Sequence, residues 1–204
     1  MKSFSQFFDM SHESLKDHFL KIMELAPKEL DTIAQYYKEQ KIAKGEYLLR
    51  IGDICRFEGY VLEGCFKICV IDDSGDEKVV YFAARDWWVM EIDSFANQTA
   101  SVLDIQALED STLLVISRDD KERLYRDLPK TERLFRIMSQ RAVAAWQRRL
   151  VRNHTMNAEE RYHHFVTTYP EITESVTNKL IASYLGITQE FVSVIRKRRA
   201  EKKS

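Results

Sequence analysis

Polar and basic side chains gather towards the end of the 204-residue chain, and their types suit contacts with nucleic acid. The amide of Gln189 can pair with adenine, and the carboxylate of Glu190 can accept a hydrogen bond from cytosine N4. The hydroxyl of Ser193 can bond to either kind of base edge. Basic side chains more naturally contact phosphate oxygens, and those nearby are Lys179, Arg196, Lys197 and Arg198. These residues predict a surface that binds double-stranded DNA.

Two short helices joined at a glycine would position these side chains. Residues 178–184 and 188–198 can each form a helix, and the apolar residues in and between them hold the pair together, namely Ile181, Leu185, Ile187, Val192 and Ile195. Ala182 is small enough for a steep helix crossing, Gly186 tolerates a positive φ at the turn, and Thr188 can cap the second helix. The pattern predicts a helix-turn-helix whose second helix enters the major groove, with Thr188 also near the DNA. An ordinary αα-hairpin is the alternative.

Charge is distributed unevenly, although the formal net charge is only −1. Residues 141–204 contain twelve Lys or Arg and six Asp or Glu, while residues 1–140 contain the other nineteen basic and twenty-six acidic side chains. A basic end behind an acidic front favours a nucleic-acid or anionic-surface contact attached to a domain with another role. A basic tail that is only solvated is the alternative. No segment reaches the apolar length that spans a bilayer, so we expect no membrane contact and a cytoplasmic protein.

Cysteines and histidines are too few and too scattered to predict a metal site. Cys65 and Cys69 would lie about 13 Å apart along a strand, too far for a disulfide, and a metal or iron–sulfur site needs more ligands nearby. Together with Cys55 they are interpreted as small buried hydrophobic residues in a reducing compartment. No P-loop, nucleophile elbow or HExxH motif is present. We therefore expect no metal, no cofactor and no enzymatic activity.

The first part of the chain changes from a helical to a β-rich pattern. Apolar residues recur at helical spacing over residues 15–39, with an interruption at Pro27 that suits the first turn of a second helix. Glycines and turns then separate five β-rich runs, at 47–49, 60–62, 66–71, 79–82 and 103–108. Apolar residues alternate within residues 66–71, which predicts one buried and one exposed face. We expect an α+β fold with an antiparallel β-roll or jelly roll flanked by helices.

A long helix without glycine or proline is predicted for residues 130–157, followed by a shorter one at 159–168. Mostly apolar residues recur along the first of these at alternating spacings of four and three, which is typical of a coiled-coil seam. The seam predicts a homodimer whose interface contains Phe135, Met138, Ala142, Ala145 and Arg149. A helix packed against its own roll is the alternative.

This order of elements resembles the CRP/FNR family of bacterial transcription regulators over nearly the whole chain. The stretches that carry the resemblance are KGEYLLRIGDICRFEGYVLEG at 44–64, IQALEDSTLLVISRDD at 105–120 and IASYLGIT at 181–188. The resemblance implies a cyclic-nucleotide-binding-like sensor roll over residues 1–128, a dimerisation helix over 129–156 and a DNA-binding helix-turn-helix domain over 157–204. It also implies a dimeric transcription regulator, with RNA polymerase as a further candidate partner.

The resemblance also identifies a candidate effector pocket within residues 87–102. Family members that bind cyclic nucleotide carry a Gly-Glu pair for the ribose hydroxyl and, several residues later, an arginine before Ser/Thr-Ala for the cyclic phosphate. This chain keeps the acid as Glu91 but has Met90 in place of the glycine and Gln98 in place of the arginine. A neutral amide cannot offer a bidentate charged contact, so we expect no binding of cyclic AMP in the family manner. The pocket candidates are Trp88, Met90, Glu91, Gln98, Thr99 and Ala100.

Two questions of function stay open at the level of sequence. The pocket is either a site for an unidentified small-molecule effector or a part of the core filled by aromatic side chains. The chain is either a DNA-binding regulator or a ligand-binding module that acts on a protein partner without DNA. The family often carries an arginine where this chain has Val194, so the usual guanine contact is not expected.

Overall fold

The computed structural model describes the backbone of residues 4–201 and the side chains of residues 12–198. The helices in that range are α1 (Phe4–Leu20), α2 (Pro27–Ala34), α3 (Ile92–Asn97), α4 (Arg118–Asp127), α5 (Lys130–Thr155), α6 (Ala158–Thr168), α7 (Pro170–Ser175), α8 (Asn178–Leu185) and α9 (Gln189–Glu201). The strands are β1 (Lys38–Ile42), β2 (Tyr47–Leu49), β3 (Phe57–Glu63), β4 (Phe66–Ile71), β5 (Glu77–Ala83), β6 (Trp88–Val89), β7 (Asp104–Ala107) and β8 (Ser111–Ser117). The predicted α+β class is confirmed. Among the helices of this range, none is long and apolar enough to cross a bilayer.

The strands form two four-stranded antiparallel sheets, in the orders β1-β8-β3-β6 and β2-β7-β4-β5. Strand β8 lies between β1 and β3, so that Leu114 is opposite Glu39 on one side and Tyr60 on the other. Strands distant in sequence are neighbours in both sheets, as in a jelly roll. Each of the five predicted β-rich runs overlaps a strand. An apolar core between the sheets includes Phe66, Ile68, Ile105 and Leu113.

The expectation that β4 has one exposed face is wrong. Phe66, Lys67, Ile68 and Cys69 are all buried, because the inner face packs inside the roll and the C-terminal helices cover part of the outer face. The ammonium group of Lys67 forms an ion pair with Glu77 of β5, which offsets the cost of burying its charge. Alternation therefore marks one buried face only where the second face is left to solvent.

The helical pattern predicted for residues 15–39 holds only as far as Ala34. Helix α2 begins at Pro27 as expected, but the chain turns after Gln35 and enters β1 at Lys38. Strand β1 pairs along its whole length with β8. These interstrand hydrogen bonds form only in the folded chain, and they override the local helical spacing.

All three cysteines are buried and unpaired, and all lie in the described part of the chain. Burial raises the pKa of the Cys65 thiol to about 12 and that of the Cys69 thiol to about 11. Both thiols therefore stay protonated near neutral pH and pack as small apolar groups, as expected from the sequence.

Helices cover the outer faces of both sheets. An apolar cluster joins the outer face of the first sheet to α1, α2, α4 and the start of α5, and includes Phe19, Tyr60, Leu114 and Phe135. On the second sheet, Phe82 of β5 contacts Phe165 of α6 and Tyr184 of α8, with ring centroids 6.2 and 5.5 Å apart. The backbone N–H of Val79 donates to Ser183 Oγ over 2.9 Å. The roll and the C-terminal helices thus share one apolar cluster.

A glycine between β3 and β4 is required by a close approach of the chain to β8. Gly64 has a φ of +95°, and a Cβ atom there would lie 2.7 Å from the Cα of Ser111. Gly45 has a φ of +85°, and a Cβ atom there would meet no heavy atom within 4 Å beyond its chain neighbours. We expect Gly64→Ala to lower the free energy of unfolding by about 3 kcal/mol and Gly45→Ala by about 1 kcal/mol, since only the first adds a steric clash to the backbone strain. Urea denaturation of both variants measures this difference, and equal losses would contradict it.

Candidate nucleic-acid interface and effector pocket

Helices α8 and α9 meet at a tight turn with the features expected from the sequence. Gly186 adopts a left-handed conformation with a φ of 64°, and its N–H bonds to the carbonyls of Ala182 and Ser183 at the end of α8. Thr188 Oγ1 accepts the backbone N–H of Phe191 over 3.2 Å and so caps α9. Ala182 is buried at the contact between the two helices. These local predictions of the turn and the cap are confirmed.

The outward face of α9 carries most of the side chains predicted to meet DNA. Val192 and Ile195 are buried against the rest of the C-terminal helices, so the opposite side of α9 faces solvent. The predicted residues Gln189, Glu190, Ser193, Lys197 and Arg198 are exposed on α9, as are Thr188 in the turn and Lys179 on α8. Two of these hydroxyl groups already have internal partners, because Thr188 caps the helix and Ser193 Oγ donates to the carbonyl of Gln189.

Arg196 differs from its basic neighbours, because its guanidinium is used within the chain. Its Nε donates to the Tyr162 hydroxyl over 3.2 Å, and a terminal nitrogen donates to Asn178 Oδ1. The side chain therefore ties α9 to α6 and to the start of α8. Lys197 and Arg198 have no ion-pair partner among the described residues, so they are the freer phosphate contacts on this helix.

Glu91, the acid kept from the family pattern, is a buried helix cap. Its two carboxylate oxygens accept the backbone N–H groups of Asp93 over 3.0 Å and of Ser94 over 2.9 Å, at the start of α3. The side chain is 5% exposed. A buried carboxylate needs such donors, and the first turn of a helix supplies unpaired ones. Both oxygens are thus occupied by this chain's own backbone.

Gln98 ends the same helix and is also turned inward. It adopts a left-handed conformation with a φ of 55°, and its Nε2 donates to the carbonyls of Phe95 over 2.9 Å and of Cys55 over 3.3 Å. The Ser94 hydroxyl links the same two segments, since it accepts the N–H of Cys55 and donates to the carbonyl of Thr99. Ser94 was not among the residues predicted from the sequence, because its partner Cys55 lies 39 positions earlier in the chain.

The remaining pocket candidates are divided between two clusters. Trp88 packs with the aromatic rings around α1, and its Nε1 donates to His18 Nε2 over 3.1 Å. Met90 packs with the roll's inner core, and its carbonyl accepts the Tyr81 hydroxyl over 2.8 Å. Thr99 and Ala100 are exposed, and Ala100 forms a single bridge with Ile54. The six candidates therefore do not converge on one point.

At both ends of the predicted seam, side chains of α5 contact other parts of the same chain. Phe135 is buried in the cluster around α1, Met138 packs partly against it, and the Arg149 guanidinium donates to the carbonyls of Val80 and Tyr184. Ala142 and Ala145, between these ends, are exposed. The larger exposed apolar side chains of α5 lie on a neighbouring face, and they are Val143, Trp146, Leu150 and Val151.

In the described part of the chain, no three His, Cys, Asp or Glu side chains gather closely enough to hold a metal ion.

Residues 39–127 match the family model of the cyclic nucleotide-binding domain. The match begins in β1 and ends with α4, and it covers the whole roll. The roll together with the helices around it has the fold of the solved CRP/FNR-type structures.

Several bacterial regulators are similar to this chain. FixK2 from Bradyrhizobium japonicum has a TM-score of 0.69 at 15% identity, over 82% of this chain and 86% of that one. The c-di-GMP-responsive global regulator CLP from Xanthomonas campestris has a TM-score of 0.67 at 15% identity, over 87% of this chain and 93% of that one. Electron transport regulator A from Shewanella oneidensis is 28% identical over 183 residues, which cover 83% of this chain and 72% of that protein. The structures at 15% identity establish the fold alone.

The cap formed by Glu91 predicts a stability effect that appears without any ligand. Glu91→Ala removes both acceptors at the start of α3, and we expect it to lower the free energy of unfolding by about 2 kcal/mol. Glu91→Gln keeps one acceptor and should lose about half as much. Urea denaturation in the absence of nucleotide measures both.

The exposed neighbour Asp93 provides the control for this experiment. Asp93→Ala removes an acidic side chain from the same turn and should cost less than about 1 kcal/mol, since it loses the helix-dipole interaction and one exposed hydrogen bond from Asn97. A Glu91→Ala variant as stable as the original chain would show that the cap does not hold α3.

Proposed function

We propose that the chain is a dimeric, DNA-binding transcription regulator of the CRP/FNR type. Its parts are a sensor roll at 1–128, a dimerisation helix at 129–156 and a helix-turn-helix domain at 157–204. The observation that carries the proposal is the outward face of α9, where Gln189, Glu190 and Lys197 are exposed beside a tight turn at Gly186. Amide and carboxylate groups suit base edges, and the lysine suits phosphate.

The C-terminal position of the basic residues supports the same function. Residues 141–204 hold twelve basic and six acidic side chains within a chain of net charge −1. A local excess of positive charge attracts DNA by release of its counterions, and an acidic remainder limits that attraction to one end. We therefore expect the C-terminal helices, and not the roll, to contact DNA.

The exposed apolar face of α5 supports a second copy of this chain as the dimer partner. Val143, Trp146 and Leu150 are 56%, 45% and 59% exposed, and they follow one another at spacings of three and four. That spacing is typical of coiled-coil positions, which exclude water when a second helix packs against them. We infer that this face forms the central contact of the dimer, next to Ala142 and Ala145 of the predicted seam.

The candidate effector pocket supports a roll that does not bind cyclic AMP in the family manner. The carboxylate of Glu91 is occupied by two backbone amides, and the Gln98 amide lies against backbone carbonyls. A cyclic nucleotide would have to break these contacts without a cationic fork to replace them. Any effector of the roll would then be of another chemical class.

Regulation of a protein partner without DNA is the second candidate function. It is favoured by two exposed apolar side chains on α9, Phe191 at 37% and Val194 at 43%. Apolar side chains in the middle of a helix face suit a protein groove better than a phosphate backbone. In this case the chain would show no affinity for DNA even at low salt.

Binding to duplex DNA at several salt concentrations tests the leading proposal. We expect fluorescence polarisation with genomic and random duplexes to give a linear fall of log K with log salt. Lys197→Gln should lower the magnitude of that slope by about one, which is the contribution of a single phosphate contact. Lys41→Gln makes the same charge change on the roll and should leave the slope unaltered. Cyclic AMP should change the affinity for neither the genomic nor the random duplexes. No binding at low salt would contradict DNA binding.

The dimer contact is tested by placing a charge on each of the two faces of α5. Leu150→Glu brings two carboxylates together at the proposed contact, and we expect it to raise the dimer dissociation constant about a hundredfold. Ala145→Glu lies on the face predicted from the sequence and should have a smaller effect. Sedimentation equilibrium measures both. Dissociation by Ala145→Glu alone would show that the predicted seam is the interface.

A further inference from the structure

A cleft opens where α5 meets α6 and α8, and its walls carry an unusual number of basic groups. The side chains around it include Arg149 and Arg152 from α5, Arg161 and His164 from α6, and the rings of Tyr169 and Tyr184. Its enclosed space is about 20 Å³. That is little more than one water molecule requires, so a ligand would have to be small.

The positive charges in this cleft are not neutralised by the protein. No described carboxylate forms an ion pair with Arg149, Arg152 or Arg161. Such half-buried cations are costly without an anion, because water can no longer solvate them fully.

Two of the arginines are held in place by neutral oxygens. Arg149 donates to the carbonyls of Val80 and Tyr184, and Arg161 donates to those of Met156 over 2.9 Å and of Leu185 over 3.3 Å. Carbonyl oxygens fix the orientation of a guanidinium but leave its net charge. A guanidinium has five N–H donors, so both arginines keep donors for a ligand.

Arg152 is the unsatisfied member of the group. Its side chain is half-buried and has no hydrogen-bond partner among the described residues. Its charge acts on its neighbours, because burial and then the positive charge of Arg152 lower the pKa of His164. The pKa of Arg149 is lowered chiefly by burial, with a further contribution from Arg152. The positive charges in the cleft therefore repel one another, and a bound anion would reduce this repulsion.

We propose that this cleft binds one small oxyanion of the phosphate class per chain, either inorganic phosphate or a small phosphomonoester. Three guanidinium groups from two helices suit a tetrahedral dianion better than a planar carboxylate, which one arginine fork can satisfy. The tyrosine rings supply an apolar wall beside the charged group. The site lies outside the roll and does not depend on DNA binding by α9.

A bound anion would act on the junction between the roll and the C-terminal helices. Arg149 contacts β5 through the carbonyl of Val80 and α8 through the carbonyl of Tyr184. An anion that neutralises Arg149 and Arg152 together would stabilise this arrangement over any in which α8 leaves β5. The phosphate concentration would then influence how firmly α9 is held relative to the roll.

Titration of the full chain with sodium phosphate against sodium chloride at constant ionic strength tests the site. Calorimetry should show saturable binding of one phosphate per chain, and the unfolding midpoint should rise with phosphate. Arg152→Gln should raise the dissociation constant about tenfold, since it removes a charged donor. Arg141→Gln is the matched control, because it removes an exposed arginine from the same helix. This control should bind phosphate as the original chain does.

Three results would overturn the proposal. The first is the absence of saturable phosphate binding, and the second is an equal loss in Arg152→Gln and Arg141→Gln. The third concerns the source of the phosphate: if Arg152→Gln weakens binding to a random DNA duplex while free phosphate does not bind, the arginine contacts the DNA backbone.

In chloride, we expect Arg152→Gln to be no less stable than the original chain, because the substitution relieves repulsion between the arginines. A purely structural role of Arg152 would not produce this result. All phosphate measurements are made without DNA, so failure of DNA binding leaves them interpretable.

Discussion

The position of the C-terminal elements depends on the apolar contact between the β2-β7-β4-β5 sheet and helices α6 and α8. Phe82 of β5 packs against Phe165 and Tyr184, and Arg149 bonds to carbonyls on both sides of this contact. Helices α6 to α9 are only six to thirteen residues long and cannot bury a large core by themselves. The roll supplies the missing surface and thereby fixes the direction in which α9 faces.

Contacts with the backbone also determine the shape of the candidate pocket in the roll. Glu91 has the residue type of a ligand-binding acid, yet its carboxylate closes the first turn of α3. Gln98 closes the last turn in a left-handed conformation. A segment that caps its own helix at both ends keeps one shape without a ligand. In the arrangement we propose, a signal would reach the C-terminal helices at the arginine cleft, where the roll, α5 and α8 meet.

Helix α5 serves several contacts because its faces differ along its length. Its start buries Phe135 among aromatic rings, and its later part turns Arg149 towards β5 and α8. The apolar side chains between and beyond these points face outward, Val143 and Leu150 among them. A long helix that spans two packing regions can thus stabilise the fold of one chain and offer a surface to another. The two roles would compete for neighbouring faces, which is why the spacing of apolar residues alone does not identify the proposed dimer contact.

Residue type and spacing were sufficient to predict most helices and strands and several details of the α8–α9 turn. Proline at the start of α2, Gly186 at the end of α8 and the Thr188 cap act on their own backbone, so residue type and spacing determined them. The sequence also determined the α+β order and the basic character of the C-terminal end. Only the tertiary structure decided that β4 is covered on both faces, that Arg196 bonds within the chain and that three arginines share one cleft. These features depend on residues far apart in sequence, which are brought together only by packing of the helices on the roll.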